Sequence, residues 1–187
     1  MKNLILASAS PRRREIFEKL GLSFTVAVSD KEPPTDINAD AAFSAFEAAK
    51  IKAEDIFVSN PDAVVVGADT VVSCDGKLLG KPENEKDARE MLALLSGREH
   101  EVLTAVFVCS DKLKKGFVAK TRVEFYDLSQ KEIDDYIATK DWSDKAGAYG
   151  IQSKAIRFVR GICGDYNNVV GFPAAEFVRF LENEKIM

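Results

Sequence analysis

The fold is decided near the start of the chain, in the stretch Asn3-Leu4-Ile5-Leu6-Ala7-Ser8-Ala9-Ser10-Pro11-Arg12-Arg13-Arg14. The apolar run at residues 3–7 predicts a short buried strand. Ser10 has the chemistry of an N-cap, Pro11 suits the first position of a helix, and Gly21 suits its end. The sequence therefore predicts a strand that passes directly into a helix.

Three arginines lie in the first turn of this helix, where the partial positive charge of the helix end disfavours them. Their placement makes sense if an anion completes the site, because free backbone N–H groups suit phosphate and arginine adds forked donors. The alternative is a solvated basic helix face. That alternative accounts well for Arg14, but less well for the hydroxyls of Ser8 and Ser10 beside Arg12 and Arg13. The sequence therefore favours an anion site.

The composition limits the class of protein. A chain of 187 residues with 46% hydrophobic and 30% charged residues is typical of a globular protein. A net charge of −4 argues against broad nucleic-acid binding and favours a small anionic ligand for the arginines. The three cysteines are far apart and form no CxxC pair, so neither a zinc site nor a disulfide is expected. With no signal peptide and no membrane-length apolar run, we expect a cytoplasmic protein that does not contact a membrane.

Hydrophobic periodicity and capping signals predict the remaining elements. Strands are predicted over residues 22–28, 63–67, 70–74, 77–79, 100–109 and 117–126, and helices over residues 40–57, 84–95, 129–139 and 174–184. Asp75-Gly76 predicts a tight hairpin turn, and Ser129 with Glu132 predicts a capping box. Residues 29–39 are predicted to be a loop, and residues 140–171 to be rich in loops with short strands. Early alternation of strands and helices, followed by hairpins, predicts a mixed, twisted sheet with flanking helices.

Asp69 is the strongest candidate catalytic residue, because it follows directly on the apolar run at residues 63–67. An unpaired carboxylate is costly to bury, and strand ends in α/β sheets often bind ligands. Asp69 could ligate a hard metal ion, or it could orient and deprotonate a water molecule. Glu32 could join it at a magnesium ion. The alternatives are a turn aspartate and a solvated loop acid.

Isolated polar residues elsewhere are weaker candidates. Lys81, held between a glycine and a proline, could reach a phosphate, and Lys52 lies on the predicted helix at 40–57; for both, the alternative is a surface lysine. Gln152 could read a base edge through its amide, or it could be a surface amide. His100, the single histidine, is expected to be structural, and the chain has no GxSxG elbow with which it could form a triad.

Taken together and in this order, these motifs resemble the Maf family of nucleoside triphosphate pyrophosphatases. The resemblance spans essentially the whole chain, which implies a single domain over residues 1–187. The motifs that carry it are Ser8-Ala9-Ser10-Pro11-Arg12-Arg13, Gly67-Ala68-Asp69-Thr70, Gly80-Lys81-Pro82, Ser96-Gly97-Arg98, Lys145-Ala146-Gly147-Ala148-Tyr149-Gly150-Ile151-Gln152, Gly164-Asp165 and Gly171-Phe172-Pro173.

The resemblance implies a mixed α/β fold with a cleft between two lobes, similar to inosine triphosphate pyrophosphatases. It implies hydrolysis of a nucleoside triphosphate to the monophosphate and pyrophosphate by water attack at the α-phosphorus. It further implies a divalent cation, Mg²⁺ or Mn²⁺, and it allows a homodimer. A regulator of cell division that binds nucleotides, with incidental catalysis, stays open as an alternative.

The family's functional positions can be carried over to residues of this sequence. Asp69 matches the proton acceptor, and Glu32 matches an acid beside the metal, which Asp69 would share. The phosphate-binding positions correspond to Ser8, Arg12, Arg13, Lys52 and Lys81.

Three positions that separate the subfamilies point to one branch. Arg12, Thr70 and Gln152 together resemble the dTTP/UTP branch, whereas the branch that acts on 7-methyl-GTP has Trp at the position of Arg12. Glu99 departs from the Thr or Ser of many members, and we expect it to add negative charge near the cleft entrance.

Overall fold

The computed structural model describes residues 3–31 and 40–186 of the chain. The strands are β1 (Leu4–Ala7), β2 (Phe24–Val26), β3 (Val64–Cys74), β4 (Lys77–Leu79), β5 (Glu99–Cys109), β6 (Lys114–Phe125) and β7 (Val159–Cys163). The α-helices are α1 (Pro11–Lys19), α2 (Ala41–Val58), α3 (Glu85–Leu95), α4 (Gln130–Ile137), α5 (Tyr166–Val170) and α6 (Ala174–Asn183). Short 3₁₀ turns lie at Ala146–Ala148 and Lys154–Phe158.

The strands form one mixed sheet in the order β2-β1-β3-β5-β6-β7, with β4 paired to the end of β3. β1 runs parallel to both β2 and β3, and the other pairings are antiparallel. This arrangement confirms the predicted mixed sheet with flanking helices. In the described part of the chain, none of the helices combines the length and apolar character that a membrane crossing requires.

The end of β1 creates the space in which the site forms. All four residues of β1 are buried, and its last residue, Ala7, pairs with Gly67 of β3. The chain then turns into α1, while β3 continues to Cys74. Among the described residues, β3 beyond Gly67 therefore has no parallel neighbour on that side.

Helix α2 packs closely against β3 at Gly67. A Cβ atom at this position would lie 2.1 Å from the carbonyl oxygen of Ala49 and 2.8 Å from the amide nitrogen of Ala53. Because both contacts are with backbone atoms, only glycine allows the helix to approach this far. The first turn of α2 is capped by Asp40, whose carboxylate accepts a 2.9 Å hydrogen bond from the amide of Phe43.

The two faces of the sheet bury different cores. The face against α2 is lined by small residues of that helix, which pack on side chains such as Val65 and Val71. The opposite face carries the larger core, to which α1, α3, α4 and α6 contribute. In that core the ring of Phe17 lies 4.9 Å from Phe172 and 5.5 Å from Phe177, measured between centroids. These contacts fix α1 against α6.

Several predicted boundaries are wrong, and the largest error concerns β3. The sequence places Asp69 after a strand end, but β3 is continuous and Asp69 lies in its middle, paired with Ala105 of β5. The antiparallel partner supplies backbone hydrogen bonds that outweigh the local turn character of the polar residues. β2 is shorter than predicted, because pairing with β1 ends at Val26.

Strand pairing also moves boundaries later in the chain away from their predicted positions. β6 begins at Lys114 and not at residue 117, since its pairing with β5 extends as far as Cys109. The region at 140–171 contains the short helix α5 and two 3₁₀ turns in addition to β7. The hairpin turn is confirmed, with positive φ angles of 50° at Asp75 and 77° at Gly76, as is the capping box of α4.

Candidate active site

A cleft of about 370 Å³ opens beside β3 where β1 ends. Its walls are the start of α1, the middle of β3, the segment at 144–153 and the end of α5. The volume lies within the range of small-molecule sites. In the described part of the chain, five basic side chains line the cleft (Arg12, Arg13, Lys52, Lys81 and Lys145) against two acidic ones (Asp69 and Asp144). A chain of net charge −4 thus concentrates positive charge in this cleft, which suits an anionic ligand.

The first turn of α1 and the residues just before it, at positions 8–13, form one wall of the cleft. Ser10 occupies the predicted N-cap position, although its side chain makes no capping hydrogen bond. The nearby Ser8 hydroxyl accepts hydrogen bonds from the Ser10 amide at 3.3 Å and from Arg13 Nη1 at 3.0 Å. Both serines line the cleft at an open helix N-terminus, which is favourable for phosphate.

Arg13 is buried, with only 9% of its surface exposed. Besides Ser8, its guanidinium donates to the carbonyls of Gly171 at 2.9 Å and Ala68 at 2.8 Å, and to Thr70 Oγ1 at 3.0 Å. Burial lowers the pKa of Arg13 from its ordinary value, and the negative charge of Asp69 opposes that shift. These hydrogen bonds, including the one to Ser8, use four of the five N–H groups of the guanidinium within the protein. Arg13 joins α1 to β3 and to the chain after α5.

Arg12 is held at the cleft wall by Asp144. Its Nη1 lies 2.8 Å from Asp144 Oδ2, and its Nη2 donates to the Asp144 carbonyl at 3.3 Å. The other carboxylate oxygen of Asp144 accepts from Lys145 Nζ at 2.7 Å. Burial opposes ionisation of Asp144, but the hydrogen bonds from Lys145 and Arg12 outweigh it and lower the pKa of Asp144 to about 2. Asp144 is therefore charged at neutral pH and orients Arg12.

Arg14 differs from its two neighbours. Its side chain is 65% exposed and lies 3.0 Å from Glu18, one helical turn later. Arg14 therefore faces solvent, as the sequence favours, and the cluster divides into two cleft residues and one surface residue.

Asp69 forms an ion pair with Lys52 inside the cleft. Lys52 Nζ, which reaches across from α2, lies 2.6 Å from Asp69 Oδ1, and the side chains are 19% and 23% exposed. Lys52 is thus a cleft residue and not a surface lysine. Both groups border the cleft, so a bound ligand would meet a carboxylate and an ammonium group side by side.

Asp69 and Thr70 project to opposite faces of β3, as neighbouring strand residues do. Asp69 faces α2, whereas Thr70 Oγ1 lies on the opposite face, 2.9 Å from Thr104 Oγ1. Both residues still line the same cleft, because β1 has ended and the strand is open on that side. The cleft therefore wraps around the exposed edge of β3.

The remaining predicted ligand residues lie on two connected segments. Lys81 and Gln152 are exposed and line the cleft. The Gly80 carbonyl accepts a 3.0 Å hydrogen bond from the Gly147 amide, which ties the segment of Lys81 to that of Gln152. Glu32 lies outside the described residues, so its predicted role as a metal-side acid stays a prediction.

Two further expectations concern residues of β5. Glu99 does not line the cleft, and its carboxylate lies 3.4 Å from Arg122 Nη1 on the neighbouring strand, so its effect near the entrance stays a prediction. His100 is buried 2.8 Å from the Tyr149 hydroxyl, where burial lowers its pKa to about 4. It is therefore neutral and structural, as expected.

Sequence reasoning missed Asp144, Lys145 and Thr104 as functional candidates. Lys145 is only 11% exposed and pairs with Asp141 at 2.9 Å and with Asp144. Its stem packs over Gly150, where a Cβ atom would lie 2.6 Å from Lys145 Cε. An acid directly before the lysine of a glycine-rich motif was the available signal for Asp144. Thr104 gave none, since it lies within an apolar strand.

The donor set permits a metal ion only with help from a ligand. Among residues 3–31 and 40–186, no group of three or more His, Cys, Asp or Glu side chains is placed to hold a metal. Mg²⁺ commonly binds through one or two carboxylates, with substrate phosphates and water completing its shell. Asp69 fits a site of this kind, in which one carboxylate and the substrate phosphates hold the metal ion.

Solved structures with a similar fold support the architecture. The Ham1 protein of Staphylococcus aureus superposes with a TM-score of 0.52 at 15% identity, covering 98% of this chain and 100% of that one. A HAM1 protein from Coxiella burnetii gives a TM-score of 0.52 at 14% identity, with the same coverage. Together with the cleft, these likenesses define the class as a Ham1-like mixed α/β fold with a cleft lined mainly by basic side chains.

Sequence comparisons resolve the family within that class. The family model described as Maf-like protein matches residues 3–184. A dTTP/UTP pyrophosphatase of Bacillus pumilus is 50% identical over 182 residues, covering 97% of this chain and 96% of that protein. A Bacillus cereus protein with the same name is 44% identical over 186 residues, covering 100% of this chain and 92% of its own length. The chain belongs to the Maf family.

Proposed function

We propose that this protein hydrolyses dTTP and UTP to the nucleoside monophosphate and pyrophosphate. The observation that carries the proposal is the cleft, where five basic side chains surround the carboxylate of Asp69. The names of the relatives that are 44–50% identical over nearly the full chain support the same activity. The cleft supplies positive charge and a volume within the range of small-molecule sites.

The triphosphate would bind at the start of α1. At neutral pH it carries close to four negative charges, which require several cations and donors. The open helix N-terminus beside Ser8 and Ser10 provides backbone donors, and Lys52 and Lys81 provide charge from two other sides. Arg13 contributes mainly by holding this wall in place, because its own donors are largely used.

Asp69 is the proposed general base. It would accept a proton from a water molecule as the water oxygen bonds to the α-phosphorus and the bond from that phosphorus to the bridging oxygen breaks. Pyrophosphate leaves with the bridging oxygen. The ion pair with Lys52 keeps the carboxylate at the cleft wall, and it places an ammonium group beside the reacting phosphates.

A divalent cation, Mg²⁺ or Mn²⁺, would complete the site once the nucleotide is bound. Asp69 and phosphate oxygens would hold it, and Glu32 is proposed as a second acid. The cation would supply charge neutralisation for the phosphates and the leaving pyrophosphate.

Arg12, Thr70 and Gln152 are proposed to select the base. All three line the cleft, and Arg12 is kept in one orientation by Asp144. Gln152 is exposed, and its amide can both donate to and accept from a pyrimidine edge.

A panel of nucleoside triphosphates with Mg²⁺ or Mn²⁺, assayed for pyrophosphate release, tests the proposal. We expect dTTP and UTP to be the best substrates. Orthophosphate as the first product would refute attack at the α-phosphorus, and dominant turnover of 7-methyl-GTP would refute the choice of branch.

Asp69→Asn should lower kcat by about 10²–10⁴-fold, the usual contribution of a general base. The matched control is Asp62→Asn, since Asp62 is exposed and does not line the cleft. Nucleotide should still raise the Tm of Asp69→Asn, because binding stabilises the folded state. Equal nucleotide hydrolysis by the two variants would remove Asp69 from the mechanism.

A further inference from the structure

A buried chain of hydroxyl groups runs behind the cleft from Arg13 to the backbone of α5. Arg13 Nη2 donates to Thr70 Oγ1 at 3.0 Å, and Thr70 Oγ1 lies 2.9 Å from Thr104 Oγ1. Thr104 Oγ1 in turn lies 3.1 Å from the carbonyl oxygen of Asn168. Thr104 is fully buried, so it can reach a ligand only through Thr70.

The far end of this chain is fixed. Asn168 is completely buried, and its side-chain amide donates to the Val102 carbonyl at 3.1 Å and to Thr121 Oγ1 at 3.0 Å. The carbonyl that accepts from Thr104 therefore has little freedom to move. The carbonyl acceptor at this end therefore determines which atom donates in each hydrogen bond between the hydroxyl groups.

The positions of the protons follow from what each atom can do. A carbonyl oxygen only accepts, so the single proton of Thr104 is used on Asn168. The contact between Thr70 and Thr104 then requires Thr70 to donate, since otherwise two lone pairs would face each other at 2.9 Å. The Gly171 carbonyl, 3.4 Å from Thr70 Oγ1, is the poorer acceptor. The proton of Thr70 therefore points away from the cleft.

We propose that Thr104 is a positioning residue that makes Thr70 a pure hydrogen-bond acceptor toward the ligand. With one lone pair used by Arg13 and the proton used by Thr104, Thr70 offers the cleft only its remaining lone pair. A phosphate oxygen is itself an acceptor and is disfavoured there. A donor on the nucleoside is favoured, either an imide N–H of the base or a sugar hydroxyl.

This inference rests on the proposed function, and it adds a physical reason for a preference among pyrimidines. Uracil and thymine carry a proton on N3, whereas N3 of cytosine carries a lone pair. An acceptor held by Thr104 would favour the first two bases. If the donor were instead the sugar 2′-hydroxyl, the same arrangement would favour UTP over dTTP.

The test compares Thr104→Val, which keeps the shape and removes the hydroxyl, with Thr104→Ser, which restores it. Thr104→Val should lower kcat/KM for dTTP by about fivefold to tenfold, the value of one uncharged hydrogen bond. The loss for dCTP should be smaller, because the freed Thr70 proton can turn to N3 of cytosine. Thr104→Ser should restore the wild-type ratio of dTTP to dCTP. Thr104→Val could instead lower the ratio of kcat/KM for UTP to that for dTTP and leave the ratio of dTTP to dCTP unchanged. That result would assign the donor to the sugar and uphold the inference.

A second variant and a double-mutant cycle separate positioning from mere stability. If Thr104→Val does not fold, Thr104→Ala removes the same hydroxyl with no added bulk and carries the same expectations. In a Thr70→Val background, either change should alter kcat/KM by less than about twofold, since its effect passes through Thr70. Wild-type protein that releases pyrophosphate, together with Thr104 variants whose nucleotide ratios are all unchanged, would overturn this inference alone. Wild-type protein that hydrolyses no nucleotide would overturn the proposed function and this inference with it.

Discussion

Replacing Arg13 with alanine should affect the framework of the site as well as its charge. The change removes four charge-assisted hydrogen bonds from a residue that is 9% exposed. Such bonds contribute about 1.5–3 kcal/mol each when considered singly, but their values do not add, and water from the adjacent cleft can reach some of the abandoned acceptors. Each buried acceptor left without a donor, where water cannot reach it, costs about 1–3 kcal/mol. We expect a total loss of about 3 kcal/mol.

For a domain of this size, each kcal/mol lowers Tm by about 2–4 °C, so Arg13→Ala should melt about 6–12 °C below the wild type. Arg12→Ala is the matched control, because Arg12 is partly exposed and its loss breaks one ion pair; it should melt within about 2 °C of the wild type. Differential scanning fluorimetry without nucleotide measures both values. In the pyrophosphate assay, Arg13→Ala should also raise KM and lower kcat. Equal Tm values for the two variants would refute the assignment of Arg13 to the framework.

Two further predictions concern the packing and the pH dependence of stability. Gly67→Ala should prevent folding or strongly destabilise the protein, because its Cβ would lie 2.1 Å from the Ala49 carbonyl oxygen. Gly161→Ala should leave Tm nearly unchanged in the same thermal scans, because no atom of the described residues beyond its chain neighbours lies within 4 Å of the added Cβ. In the folded protein the pKa of His100 is lowered to about 4 from an ordinary 6.5. Between pH 6.5 and pH 4 the unfolded chain therefore binds the proton more readily than the folded one, and stability falls as pH drops. Urea unfolding should show a loss of about 2 kcal/mol from this group between pH 7.5 and pH 5, absent in His100→Gln; equal pH slopes for both proteins would contradict the assignment.

Elements whose signals are local could be predicted from the sequence. The passage from strand to helix at residues 3–14 depends on an apolar run and a proline, and α4 depends on its capping box. The course of β3 depends on a distant partner. Its polar middle reads locally as a strand end, and only pairing with β5 shows that the strand continues.

The site was predictable to the extent that its residues lie in recognisable motifs. Ser8, Lys81 and Gln152 each stand in a short motif, and all three line one cleft. The partners that fix the cleft residues were not predictable. Asp144 and Thr104 act through contacts that form only in the folded chain. In a sequence, an acid next to a lysine does not by itself indicate a functional site, and neither does a hydroxyl residue within an apolar strand.

In the proposed reaction, water attacks the α-phosphorus of a nucleotide held in this cleft. Hydrolysis of dTTP in water enriched in oxygen-18, followed by mass spectrometry of both products, tests it most directly. Attack at the α-phosphorus leaves the heavy oxygen on the nucleoside monophosphate and none on the pyrophosphate, which is the result that we predict. Heavy oxygen in the pyrophosphate would show attack at the β-phosphorus and would contradict the proposal.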